Sequence, residues 1–443
     1  MEIRLSDHFS YGKLFRFALP SVVMMLFSSI YGVVDGLFVS NFVGKTEFAA
    51  INLLMPVLMI AGAFGFMIGA GGTAVVAKTL GEGEPELAKR YFSLFVYITA
   101  ISGAAISLHG IIFIRPLSMM LGAEGAMLDA CVRYGRIVLA AMPFFMLQNL
   151  FQSFMIVAER PKLGLAVTVC AGVANMVLDA FLILIVPLGL EGAALATSIS
   201  QLVGGIIPII YFAKKNSSQL ALTKTKFYGR ALLRAITNGS SELMSNISMS
   251  IVTIIYNFQL MKFAGEDGIA ANGIIMYVAF IFIAMFIGFA VGTAPIIGYH
   301  YGAQNASELK SLLKKGATVM VASGAVMTLT SIIFARPLSA IFAGYDPQLL
   351  EMTVNGLKIH STCFIFASLG IFGSSYFTAL NNGLISAIIS FTRTLIFQVG
   401  ALLLLPIFLD LNGVWLATPI SEVLSLILTV ILFIANRKKY KYF

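Results

Sequence analysis

The sequence predicts an all-α polytopic membrane protein with twelve transmembrane helices. Three observations support this fold class: the chain is very apolar, its apolar residues form long runs, and its second half repeats motifs of its first half. Hydrophobic residues make up 59% of the 443 positions and charged residues only 11%, whereas soluble domains carry about 45–50% apolar and about 25% charged residues. A water-soluble fold of this length has too little interior to bury such an excess of apolar residues. The chain length therefore indicates a number of membrane spans and not a number of soluble domains.

Twelve runs have the roughly 20 apolar residues that a bilayer core requires. We place these spans at residues 14–42, 51–79, 91–113, 131–157, 162–186, 191–213, 236–262, 270–300, 312–334, 354–379, 383–408 and 413–435. The residues before the first run are polar, so we expect no cleavable signal peptide. Three irregularly spaced cysteines and four scattered histidines form neither a disulfide framework nor a metal motif.

Basic residues are distributed unevenly between the loops on the two sides of the membrane. Most of the 29 lysines and arginines fall in the termini and in the loops on the same side as the termini. Because basic loops remain in the cytoplasm, both termini are expected to be cytoplasmic. The net charge of +9 comes from these span-flanking residues and forms no continuous basic face, which argues against nucleic-acid binding.

The two halves of the chain share motifs at a constant offset of 221 positions. Phe113-Ile-Arg-Pro-Leu-Ser118 matches Phe334-Ala-Arg-Pro-Leu-Ser339, and the Gly-x-x-Leu-Ala-Thr-x-Ile-Ser motif that starts at Gly192 recurs at Gly413. Each half holds six runs, so we predict two parallel six-helix bundles related by a pseudo-twofold axis along the membrane normal. Residues 1–213 form the first bundle, residues 214–235 a cytoplasmic linker, and residues 236–443 the second bundle.

Polar side chains inside the spans indicate a candidate cation site in the N-terminal half. Asp35 lies in the first span and Asp179 in the fifth, and ionisable residues within a bilayer are functional candidates by default. Asn175 precedes Asp179 by one turn on the same helix face, and Thr197 in the sixth span lies at a similar height. Their oxygens suit a hard cation such as Na⁺, and a pair of carboxylates in an apolar pocket also suits a proton.

The alternative for the two aspartates is a structural role, with each carboxylate hydrogen-bonded to a neighbour. The repeat argues against this alternative, because Tyr256 and Gly400 occupy the matching positions of the second half. No lysine or arginine lies in the interior of the N-terminal spans to neutralise the carboxylates. We therefore interpret Asp35 and Asp179 as cation-coupling residues.

Further polar residues near these acids are candidates for substrate binding. Tyr31 lies one turn before Asp35, and the fourth span carries a polar stripe that includes Gln148, Asn149 and Gln152. Side chains of this kind either contact a substrate in a water-filled cavity or hold helices together through hydrogen bonds. The sequence leaves both interpretations open for the stripe.

The second half offers a different set of charged residues. Arg393 and Glu422 lie near the middle of the last two spans, where a structural ion pair is the simpler interpretation, and Glu242 lies near the cytoplasmic end of the seventh span. The histidines do not converge with any Ser–His, His/Asp or metal pattern, so we expect no enzyme. Nothing in the spans resembles the selectivity filter of a channel.

These features resemble the multidrug and toxic compound extrusion (MATE) family, and in particular its MepA-like bacterial branch. The resemblance covers nearly the whole chain. The motifs that carry it are Leu19-Pro20, Asp35, the Gly-Thr-Ala of residues 72–74 and 292–294, Glu159-Arg-Pro-Lys162, Asn175-x-x-x-Asp179, the paired Gly-x-x-Leu-Ala-Thr motifs and Arg393.

The resemblance implies a secondary active antiporter in a bacterial inner (cytoplasmic) membrane. Such a protein exports xenobiotic organic cations and dyes in exchange for H⁺ or Na⁺ by alternating access, and so contributes to antibiotic resistance. The resemblance assigns cation coupling, including a possible Na⁺ site, to Asp35, Asn175, Asp179 and Thr197, and substrate contacts to Tyr31 and the fourth-span stripe. It implies a monomer whose partners are the lipid bilayer and small hydrophobic organic cations, with no nucleic acid and no cofactor besides the coupling ion.

One departure from the family pattern concerns the tenth span. Some family members place a second essential acid there, whereas residues 355–379 contain no Asp or Glu. A cation site in the second half is therefore not expected. The nearest alternative function is a lipid-linked oligosaccharide flippase of the same superfamily, but flippase cavities are cationic and the candidate cavity residues here are acidic and polar.

Overall fold

The structure is a computed structural model that describes residues 3–344, 346–440 and 442, without the side chains of residues 33, 35–37, 39–41 and 45. The described residues form helices and no strand. The α-helices are α1 Tyr11–Phe42, α2 Lys45–Gly81, α3 Pro85–Met120, α4 Gly125–Ala140, α5 Met142–Val157, α6 Pro161–Asp179, α7 Gly189–Ala213, α8 Gly229–Gly302, α9 Ala306–Ile333, α10 Ala335–Ala343, α11 Pro347–Ser361, α12 Phe364–Ala379, α13 Gly383–Phe391 and α14 Gln398–Tyr440. Two π-helical segments, Ala180–Ile185 and Thr392–Phe397, continue α6 and α13.

The helices of the described chain account for the predicted number of spans. Eight segments are long and apolar enough to cross a membrane, and two bent pairs, α4 with α5 and α11 with α12, each form one further span. Two of the eight segments contain a break in the helical backbone, one at Gly265 and one at Asp410. Dividing them at these residues yields twelve spans, and the predicted all-α polytopic membrane fold is confirmed.

The backbone repeats itself at the offset found in the sequence. The α4–α5 pair bends by 51° and the α11–α12 pair by 47°. Ala141 lies at the first bend and Thr362 at the second. The two residues are 221 positions apart, which is the offset of the sequence motifs. The two bends therefore lie at equivalent positions of the repeat.

The two halves approach each other most closely where α2 crosses α8. A Cβ atom on Gly71 would lie 1.8 Å from the carbonyl oxygen of Ala235, and one on Gly239 would lie 1.9 Å from the carbonyl oxygen of Met67. Such distances leave room only for glycine, so backbone packs directly on backbone. Farther along the same crossing, a Cβ atom on Gly302 of α8 would lie 2.0 Å from the carbonyl oxygen of Lys78 of α2.

This contact lies on the side of the membrane that carries both chain termini, which we call the terminal side. Gly302 ends α8 close to the loop that starts α9, and Lys78 lies in the last turn of α2. Across the same contact, the Asn381 side chain donates a hydrogen bond of 3.0 Å to the carbonyl oxygen of Ala74. The halves are thus closed against each other on the terminal side.

The linker between the halves is packed onto the first half. The backbone N–H of Thr223 donates to the Ser93 hydroxyl at 2.9 Å, the Thr225 hydroxyl donates to the carbonyl oxygen of Arg90 at 2.8 Å, and Leu220 is fully buried. Composition predicts a polar connection here, and the structure adds that the connection follows the terminal-side end of α3.

Candidate functional site in the N-terminal half

One face of α6 carries the polar residues that were predicted to bind a cation. Asn175 and Asp179 are buried, with 2% and 0% of their surface exposed, whereas Val173 and Val177 on the opposite face are exposed. The two polar side chains therefore face the interior of the protein and the valines face outward. Asp179 is the last residue of α6 before the π-helical segment, and such segments are frequent at functional sites.

Helix α1 packs against the same face of α6. A Cβ atom on Gly172 would lie 2.5 Å from Cε1 of Phe27 and 3.0 Å from Cδ1 of Tyr31. Gly172 thus admits the two aromatic rings, and Tyr31 lies within one turn of Asn175 along the α6 face. The backbone of α1 continues through Asp35, whose side chain lies outside the described part of the structure.

The second half shows how the equivalent positions of the repeat meet. Tyr256, which matches Asp35, has its hydroxyl 2.6 Å from that of Thr418, which matches Thr197. Gln398 donates a second hydrogen bond to the Thr418 hydroxyl at 3.2 Å. These two repeat positions are therefore in direct contact in the second half, and Thr197 is half-buried in the first half.

A layer of amide side chains lies between α5 and α7. The Gln148 side chain packs on Gly204, where a Cβ atom would lie 2.5 Å from its amide carbon. The side chains of Gln148, Asn149 and Gln201 are at most 9% exposed, and each has an amide oxygen or nitrogen without a hydrogen-bond partner in the protein. Buried amides normally find partners, so this layer is suited to bind a ligand or ordered water. Gln152 is half-buried, one turn along α5.

An ion pair takes the place of this amide layer in the second half. Glu422 matches Gln201 in the repeat, and its Oε1 lies 3.6 Å from Nη1 of Arg393. A Cβ atom on Gly370 would meet Arg393, Glu422 and Ser425 at 3.5–3.6 Å, so the three side chains converge there. Glu242 lies on α8 and is exposed.

The predicted ion pair is thus present, whereas Gln201, at the matching position of the first half, was not predicted as a site residue. The motif that precedes Gln201 was recognised as a repeat, but only its second copy, which is followed by Glu422, was interpreted chemically. Among the described residues, no group of three or more His, Cys, Asp or Glu side chains forms a metal cluster; the proposed Na⁺ site remains a prediction that includes Asp35.

We expect Arg393→Leu to lower the free energy of unfolding by about 3–5 kcal/mol, because it leaves Glu422 buried without its counter-ion. The double variant Arg393→Leu/Glu422→Leu should recover most of that loss. Thermal unfolding in detergent measures the stability of the single and of the double variant. As a control, Arg336→Leu removes an exposed pair with Glu351 and should cost at most about 1 kcal/mol. Equal losses in the single and double Arg393 variants would contradict a structural pair.

Comparisons with known proteins connect this arrangement to one family. The MatE family model matches residues 20–181 and, a second time, residues 243–402. The multidrug export protein MepA of Staphylococcus haemolyticus is 24% identical over 427 residues, 96% of this chain and 92% of the relative. MepA of Staphylococcus saprophyticus is 24% identical over 402 residues, 90% of this chain and 87% of the relative.

Solved structures show the same fold. A MATE protein crystallised in complex with MaL6 superposes with a TM-score of 0.93 over 98% of both chains, at 22% identity. A multidrug resistance MATE transporter in an outward-facing conformation gives a TM-score of 0.92 over 98% of both chains, at 23% identity. At such identities the likeness establishes the architecture, and the chemistry has to be argued from this chain's own residues.

Proposed function

Because the chain belongs to the MatE family, whose model matches both of its halves, we propose that it is a multidrug exporter driven by the opposing flow of H⁺ or Na⁺. Family membership confirms the resemblance predicted from the sequence and makes the protein a membrane transporter rather than an enzyme. Its relatives named multidrug export protein MepA support the export of drugs. The coupling ion and the organic-cation substrates are our proposal.

The observation that carries this proposal is the buried carboxylate of Asp179 on the inner face of α6. An ionised carboxylate in a low-dielectric interior is costly, so it favours a bound cation of any kind. Asn175 adds an amide oxygen on the same face, and Tyr31 adds an aromatic ring from α1 that suits an organic cation. A small inorganic cation and a larger organic one therefore compete for one negative charge.

Closure of the terminal side bears on which state of the transport cycle this structure represents. If both termini are cytoplasmic, as the basic loops predict, contact between α2 and α8 seals the cytoplasmic side. In the proposed cycle, H⁺ or Na⁺ enters from outside, neutralises the acidic site and releases the organic cation. The halves then open toward the cytoplasm and the coupling ion leaves.

Alternating access sets a thermodynamic requirement on this cycle. A ligand shifts the equilibrium between two states only by its differential affinity for them. The coupling ion and the drug must therefore prefer opposite states or compete for one charge, and a shared carboxylate would provide such competition. The amide layer of Gln148, Asn149 and Gln201 supplies neutral hydrogen-bonding groups that tolerate substrates of different shapes.

Efflux of a cationic dye such as ethidium from proteoliposomes tests the function directly. Purified protein is reconstituted, and a proton gradient, a sodium gradient or no gradient is imposed. We expect dye movement against its concentration gradient with one of the two ions only, which identifies the coupling ion. If folded protein moves no dye with either gradient, cation antiport is wrong, and transport of a lipid-linked oligosaccharide becomes the function to assay.

A further inference from the structure

The segment that precedes α1, residues 3–10, is held tightly at the terminal side. We call this segment the strap. Leu5 and Phe9 are fully buried, although most of their neighbours in the strap are polar. The Phe9 ring packs edge-on against Phe17 of α1 and against His300 of α8, with centroid distances of 6.0 and 6.4 Å. Burial of both apolar residues shows that the strap is part of the core.

One end of the strap is bonded to the first half. The backbone N–H of Leu5 donates to Oε1 of Glu159 at 2.6 Å, and Glu159 lies in the turn between α5 and α6. Burial raises the pKa of the Glu159 carboxyl, and the hydrogen bond from Leu5 partly offsets this effect. The strap therefore supplies a specific hydrogen-bond partner for the half-buried Glu159 carboxyl.

The other end of the strap is bonded to the second half. The Glu308 carboxylate, at the start of α9, accepts the backbone N–H of Phe9 at 2.9 Å through Oε1 and lies 2.6 Å from His8 Nδ1 through Oε2. The Lys315 ammonium donates to the carbonyl oxygen of Phe9. Glu308 is only 5% exposed and its bond to the Phe9 backbone is buried, although the His8 side chain is exposed. The bond to Phe9 is therefore shielded from water and stronger than a surface contact.

We propose that the strap is a latch that bonds both halves only while the terminal side is closed. Leu5 and Phe9 are four residues apart, and a fully extended chain of that length spans at most about 14 Å. The bonds to Glu159 and Glu308 can therefore not both survive a wide separation of the halves. Opening the terminal side requires release of at least one of them, so the latch biases the transporter toward the state described here.

The latch also connects to the proposed cation site. The strap leads directly into α1, which begins at Tyr11 and carries Tyr31 against α6. Release of the strap frees the terminal-side end of the helix that contributes to the site. The latch changes the equilibrium between the open and closed states and makes no contact with substrate. Its loss therefore changes the populations of these states without removing a substrate-binding group.

Spin-label distances measure those populations. Lys162→Cys and Lys310→Cys place labels on exposed positions of the two halves at the terminal side, with exposed Cys170 replaced by Ser. The test variant is Glu308→Gln, which keeps the shape of the side chain and removes its charge. We expect the ratio of open to closed terminal side to rise about tenfold, since charge-assisted hydrogen bonds are lost. Glu84→Gln, an exposed carboxylate on the same side, is the control and should leave the ratio unchanged.

A second label pair separates latch release from general loosening. Labels at Ala126→Cys and Gln348→Cys occupy exposed positions of the two halves on the opposite side, and the distance between them should shorten as the terminal-side distance lengthens. A second latch variant, Leu5→Ser, should shift both distances in the same directions. Unchanged terminal-side distances in both variants would overturn the proposal, and so would broadening on both sides without a reciprocal shift.

Discussion

Replacing Asp179 by Asn is expected to abolish gradient-driven export, with a fall of about 100-fold in the initial rate of dye efflux. Asn has nearly the shape of Asp but no charge that a proton or Na⁺ can neutralise. The variant should fold, because an amide is less costly than a carboxylate at a fully buried position. Proteoliposome efflux with the active gradient measures the loss, and thermal unfolding confirms the fold.

The matched control for this variant is Asp129→Asn. Asp129 is an exposed carboxylate of the same half that lies 3.6 Å from Arg115, and its loss should leave export near the unsubstituted rate. If Asp179→Asn still exports dye in response to the gradient, the buried carboxylate is not the coupling group. A structural role for Asp179 would then be the better interpretation.

Replacing Gly71 by Val is expected to prevent closure of the terminal side. The added Cβ atom would lie 1.8 Å from the carbonyl oxygen of Ala235, and neither backbone can move without separating α2 from α8. Overpacking of this kind costs about 1–3 kcal/mol, so the closed state should fall about tenfold or more in population. Labels at Lys162→Cys and Lys310→Cys report this change, and the export rate should fall by a similar factor because the cycle passes through this state.

The control for this variant is Gly12→Ala in the first turn of α1, where an added Cβ atom meets nothing within 4 Å. It should change neither the label distances nor the export rate. A normal closed population in Gly71→Val would show that the helices can shift past one another. The tight crossing of α2 and α8 would then not be required for sealing.

The sequence predicted the fold because membrane spans and repeats leave local signals. An apolar run of fixed length identifies a span without knowledge of its neighbours, and the constant motif offset identifies the two halves. The bends between α4 and α5 and between α11 and α12 were not predicted, and neither were the π-helical segments. Such irregularities arise where packing between helices overrides the local hydrogen-bond pattern, so they leave little trace in one sequence.

The candidate site was only partly predictable for the same physical reason. Asn175 and Asp179 are one turn apart on one helix, so their shared face follows from helical geometry. Tyr31 and Gly172 lie on different spans, and their contact depends on the absence of a side chain at Gly172 and not on a reactive group. Contacts between distant segments, such as Leu5 with Glu159 or Phe9 with Glu308, have no periodicity that could reveal them in advance.

Binding of ethidium to the purified protein, followed by fluorescence anisotropy as H⁺ or Na⁺ is raised, tests most directly whether drug and coupling ion share one charge. We expect the affinity of the unsubstituted protein for the dye to fall as the coupling ion is raised. In Asp179→Asn the affinity should be weak and independent of that ion. If the variant keeps the same ion dependence as the unsubstituted protein, competition at Asp179 is contradicted and the coupling charge lies elsewhere.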